Sequence, residues 1–123
     1  MPTRPKYLNL VQIRLPLPGF VSILHRVSGA LLFLALPLVL CAWQSSVASA
    51  EQFAQLRAAF SGGLAKLVLL ALAWAFFHHI CAGIRYLVMD VGAATELATA
   101  RLTSKIVLAV SLALTAWVGA KLW

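Results

Sequence analysis

Two short polar clusters interrupt otherwise apolar stretches of this chain, and both carry side chains able to do chemistry. The first is Ser22-Ile23-Leu24-His25-Arg26-Val27-Ser28-Gly29. In a helix, Ser22 and Arg26 stand one turn apart and share a face. A hydroxyl and a fixed cation there could hold a polar carbonyl group or an anion. Equally, Arg26 could reach lipid phosphates while Ser22 caps the helix. The second cluster is His78-His79-Ile80-Cys81-Ala82-Gly83-Ile84-Arg85-Tyr86-Leu87-Val88-Met89-Asp90. His79 precedes Asp90 by 11 residues, about 16 Å along a helix. Neutral imidazole is the commonest metal-ligating side chain, and it also ligates haem iron. Gly83 follows one turn later on the same face, where a missing side chain would let a flat macrocycle lie against the helix. His78 points about 100° away, so the adjacent histidines would not face one iron. The competing reading is a buried histidine hydrogen-bonded to a neighbouring helix, with a glycine for close packing.

These clusters must be positioned by elements that live in lipid. Of 123 residues, 63% are hydrophobic and only 11% charged, and the mean hydropathy is +0.94. A soluble domain carries about a quarter of its residues as charges. That deficit excludes an ordinary soluble enzyme, a disordered tail and a fibrous protein. No charge occurs from Val27 to Ala50, from Leu67 to Ile84, or from Ile106 to Ala120. Three transmembrane helices are predicted, at roughly 25–47, 63–89 and 104–123, in a single all-α membrane domain over 1–123 with a short polar N-terminal arm. The third is barely long enough to span. Pro37 lies inside the first, where membrane helices tolerate it with a kink. Between the first two spans, Ser49 and Gln52 have capping-box spacing, and Phe53, Leu56 and Phe60 lie near one face of a short interfacial helix. An ionisable group inside such a span is costly, which is why the two clusters are functional candidates.

The basic residues set a direction. The N-terminal arm carries Arg4, Lys6, Arg14 and Arg26 with no acid, and the second loop carries Arg101 and Lys105 beside Asp90 and Glu96. The first loop has only Glu51 and Arg57. The positive-inside rule puts the N-terminus and second loop in the cytoplasm, and the first loop and C-terminus outside. A cleaved signal peptide ending at Ala48-Ser49-Ala50 competes for the first span, but its basic region and apolar run are both long for one. The formal net charge of +7 suits cytoplasmic loops and lipid headgroups better than nucleic acid, for which no basic soluble face is available. Cys41 and Cys81 form no CxxC pair and read as small core residues. There is no Ser/His/Asp set, no pair of carboxylates, no phosphate-cradling glycine loop and no zinc spacing. With three acidic residues, a proton-coupled transporter is poorly supported.

In this order and at these depths, the motifs resemble those of the large cytochrome b membrane-anchor subunit of bacterial succinate dehydrogenase. They are Arg4-Pro5, then Ser22-x-x-His25-Arg26-x-Ser28-Gly29, then His79-x-x-x-Gly83-Ile84-Arg85-Tyr86-Leu87-x-x-Asp90-x-Gly92. The resemblance covers nearly the whole chain. It implies that His79, not His78, is an axial ligand of haem b, the other ligand coming from a second anchor subunit. It implies that Ser22 and Arg26 line a ubiquinone pocket, and that His25 and Arg26 meet haem propionates. Tyr86 departs from the pattern, since relatives often have histidine there, which puts any propionate or water contact at that position in doubt. The implied partners are the second anchor, an iron–sulfur subunit and a flavoprotein that oxidises succinate, in a bacterial inner membrane. The implied role is electron transfer within a succinate:quinone oxidoreductase, without catalysis by this chain itself. The alternatives are a small transporter or assembly protein without a redox centre, and a haem-free quinone-reactive anchor.

Overall fold

The computed structural model describes residues 13–123. The expectations for Arg4, Pro5 and Lys6 lie outside the described residues. Four helices follow in order: α1 Leu17–Ala48, α2 Ala50–Ala59, α3 Gly63–Asp90 and α4 Leu97–Leu122. The three long ones are each apolar and long enough to cross a membrane. This is a multi-pass, all-α membrane protein, and no strand occurs among the described residues.

Two helices begin earlier than the charge pattern predicts. The expected first span starts at 25, but α1 starts at Leu17, with Pro16 as its N-cap in extended backbone and Pro18 in its first turn. Proline suits that position because a first-turn N–H has no partner within the helix. The expected third span starts at 104, but α4 starts at Leu97. The reason is common to both. Charge-free windows end where hydrocarbon ends, whereas a helix continues through the headgroups. The 32 residues of α1 make about 48 Å of helix, against roughly 30 Å of hydrocarbon. Ser22 is therefore in the second turn of α1, and its expected alternative role as a helix cap does not hold.

Helix α1 runs unbroken across Pro37. The short helix α2 forms as its capping signal requires, with the Ser49 side chain accepting from the Gln52 N–H at 3.1 Å. Leu56 and Phe60 line an apolar cavity with residues of α1 and α3, whereas Phe53 does not line it. The end of α3 is fixed by glycine. Gly92 has φ +82, and the Gly92 and Ala93 N–H groups return to the carbonyls of Met89 and Val88 at 2.9 and 3.2 Å. This Schellman-type close needs a left-handed residue, which only glycine adopts without strain.

Helices α3 and α4 are antiparallel neighbours. Lys66 lies over the Trp123 ring at one end of the pair, and Arg85 donates to Thr103 near the other. The buried residues of the pair are Ala75, His78, Ala82 and Arg85 on α3 and Ala100, Ser104, Val107, Ser111 and Thr115 on α4. Small residues allow backbones to approach in lipid, where no hydrophobic force drives helices together. The buried hydroxyls of α4 are satisfied within the helix. Ser104 donates to Ala100 O and Thr115 to Ser111 O, both at 2.7 Å, and Ser111 donates to Leu108 O at 3.1 Å. Val21 of α1 joins Ala82 and Val107 in the small core where all three spans meet.

Candidate functional site

The site lies where the first half of α1 crosses the second half of α3. Its centre is His79. The His79 ring stacks on the His25 ring, with centroids 4.3 Å apart and planes 17° from parallel. Its Nδ1 lies 3.2 Å from the His25 carbonyl oxygen and 3.3 Å from Ser28 Oγ. A carbonyl oxygen can only accept, so Nδ1 carries the ring proton and donates. Both hydrogen bonds that His79 makes among the described residues are therefore at Nδ1, and Nε2 is left as the basic nitrogen. Ligation with the distal ring nitrogen tied to a carbonyl is a common arrangement in metal proteins.

One glycine permits this approach. A Cβ on Gly29 would sit 2.8 Å from His79 Cε1 and 3.3 Å from Nδ1. Real Cβ atoms do not come that close, so Gly29 is the notch into which the His79 ring fits. Across the seam, a Cβ on Gly83 would meet His25 Nε2 at 3.8 Å. The space over Gly83, expected to take a flat macrocycle, is thus faced by the His25 ring. The expectation that His25 turns towards a propionate meets the same fact: its imidazole lies flat on His79.

His78 has a different setting. It is 0% exposed and stacks on Trp74 with centroids 5.3 Å apart. Neither of its ring nitrogens has a hydrogen-bond partner. It is enclosed by its own chain, whereas His79 is half-buried and can be approached from outside. The structure agrees with the sequence in turning the adjacent histidines to different faces.

Ser22 is half-buried and Arg26 exposed, one turn apart on α1. Arg85, 5% exposed, donates from Nε to Thr103 Oγ1 at 3.0 Å and from a terminal nitrogen to Ala100 O at 3.4 Å. Its guanidinium also lies 5.4 Å from the Tyr86 ring centroid. The Tyr86 ring is 5.2 Å from that of His25, and its buried hydroxyl has no partner. Sequence reasoning quoted Ser28 and Gly29 but gave them no part. Their spacing held a signal, since both lie one turn after His25 and so share its face.

Among the described residues, no three His, Cys, Asp or Glu side chains converge. A metal held here by the chain's own side chains would have one imidazole and need a further ligand from elsewhere. A single imidazole with a free ring nitrogen is a donor that would fit a haem iron.

Comparison with known proteins agrees over almost the full length. Residues 1–118 match the family described as succinate dehydrogenase/fumarate reductase transmembrane subunit. A succinate dehydrogenase cytochrome b556 subunit of Coxiella burnetii is 34% identical over 121 residues, covering 98% of this chain and 97% of that protein. Proteins of the same name from Rickettsia felis and Paracoccus denitrificans are each 31% identical, covering 91% and 90% of this chain and 87% and 85% of theirs. With its three apolar spans and this match over residues 1–118, this chain belongs to the succinate dehydrogenase/fumarate reductase transmembrane subunit family.

Proposed function

We propose that the chain holds haem b together with a second anchor subunit, through His79, and contributes Ser22 and Arg26 to a ubiquinone-reduction site near the cytoplasmic surface. The observation that carries this reading is the anchoring of His79 through Nδ1, which leaves Nε2 as its basic nitrogen on a half-buried ring. His78 is the poorer candidate because its ring is walled in by its own chain. The names of the relatives, cytochrome b556 subunits, point the same way.

When bound, haem b would supply a one-electron store near the quinone. The residues of this chain have simpler tasks. His79 presents a lone pair at a fixed angle. Arg26 offers an exposed cation to a propionate or to charge building on a quinone oxygen, and Ser22 offers a hydroxyl one turn away. Oriented donors of this kind stabilise developing charge in a site shielded from water. His25 is less directly placed for a propionate, since its ring lies against His79. The partners in this reading are the second anchor, an iron–sulfur subunit and a flavoprotein, with succinate oxidised on the flavoprotein. The complex would sit in a bacterial inner membrane, with the N-terminus of this chain cytoplasmic and its C-terminus periplasmic, as the distribution of Arg and Lys favours.

The test is the purified complex. A b-type reduced-minus-oxidised spectrum is expected, and a colourless complex would refute haem binding. Ser22→Ala removes one hydrogen bond, worth about 0.5–1.5 kcal/mol. Arg26→Leu removes a charge-assisted donor and should cost more. Both should lose succinate:quinone activity while succinate oxidation with a quinone-independent acceptor persists. Wild-type quinone reduction in both variants would place the pocket elsewhere.

A further inference from the structure

Ser28 is 0% exposed, yet its hydroxyl is not merely satisfied inside its own helix. Ser28 Oγ donates to the His25 carbonyl at 2.8 Å and stands 3.3 Å from His79 Nδ1. Having given its proton to the carbonyl, the oxygen retains lone pairs that can accept from Nδ1–H. The same carbonyl lies 3.2 Å from Nδ1. The proton of His79 therefore faces two acceptors that are themselves joined by a hydrogen bond. Donating to the carbonyl makes the Ser28 oxygen a stronger acceptor for Nδ1–H. Gly29, the next residue, lets the ring come this close, since a Cβ there would lie 2.8 Å from His79 Cε1.

We infer that Ser28 is a positioning residue for the haem-ligating function of His79. Beside the carbonyl that fixes the Nδ1–H tautomer, it draws on that proton and so makes Nε2 a stronger donor. The inference rests on the reading of His79 as a ligand. A stronger imidazole donor favours ferric over ferrous iron, so Ser28 holds the reduction potential down. A role confined to capping a carbonyl of α1 would not alter that potential.

The experiment is a potentiometric titration of the purified four-subunit complex carrying Ser28→Ala, with haem content measured on the same samples. The variant is expected to keep its haem and to be reduced more easily. The ferrous:ferric ratio at a fixed potential should rise about threefold, on a scale where tenfold is 59 mV for one electron. An unchanged or lower potential at full haem content would overturn the inference while leaving haem binding intact. Absence of haem from the wild-type complex would instead overturn the reading beneath it. Should Ser28→Ala fail to assemble, Ser28→Cys nearly keeps the buried volume and offers a much weaker acceptor. The same rise is then expected, and the same constancy would overturn the proposal.

Discussion

Helix α3 packs against both α1 and α4, and its two adjacent histidines have different settings. The seam with α4 is closed. It is lined by small residues and by hydroxyls that bond within their own helix, and His78 lies wholly buried in the interior of the chain. The seam with α1 is notched. Gly29 makes room for the His79 ring, the His25 ring stacks on it from the facing helix, and the ring of His79 stays half-buried with its proton committed to α1. Residues of the same type, one position apart, thus meet opposite fates. Burial alone does not mark a functional histidine in a membrane. The better sign is a ring with one nitrogen anchored and the other uncommitted.

The comparison breaks most readily at the notch. Gly29→Ala places a Cβ at 2.8 Å from the His79 ring, which is itself backed by His25. Overpacking of this kind costs about 1–3 kcal/mol, and the haem-to-protein ratio of the purified complex should fall sharply. Gly83→Ala makes only an ordinary contact at 3.8 Å, and most of the haem should be retained. Equal loss from both would restore the sequence-based idea that Gly83 makes room for the macrocycle itself. The buried interior should respond more weakly. An unpaired buried polar group is unfavourable by about 1–3 kcal/mol, so His78→Leu should leave the thermal midpoint of the complex unchanged or raise it. A clear fall would mean that the imidazole has a partner outside this chain. Ser111→Ala should be smaller still, since hydroxyl bonds within membrane proteins average about 0.6 kcal/mol.

Much of this arrangement is legible in the sequence. The charge-free runs give three spans, Ser49 with Gln52 gives α2, and the four-residue step from His79 to Gly83 gives a shared face. The early starts of α1 and α4 are not legible, because Arg26, Arg101 and Lys105 resemble span ends when they are only headgroup-level turns. The pairing of Gly29 with His79 is also hidden. It depends on the level at which two helices cross, a property that neither local sequence contains. Once that crossing is known, the positions of His25, Ser28 and Gly29 on one face account for the anchoring of His79 without any further element.

The most direct measurement is the reduced-minus-oxidised spectrum of the purified complex carrying His79→Ala, beside that of His78→Ala. His79→Ala should abolish or shift the b-type bands, whether iron is lost or taken by another ligand, while His78→Ala should keep the wild-type spectrum. An unaltered spectrum in His79→Ala, or equal loss from both variants, would contradict the assignment of the haem-facing histidine to the notched seam.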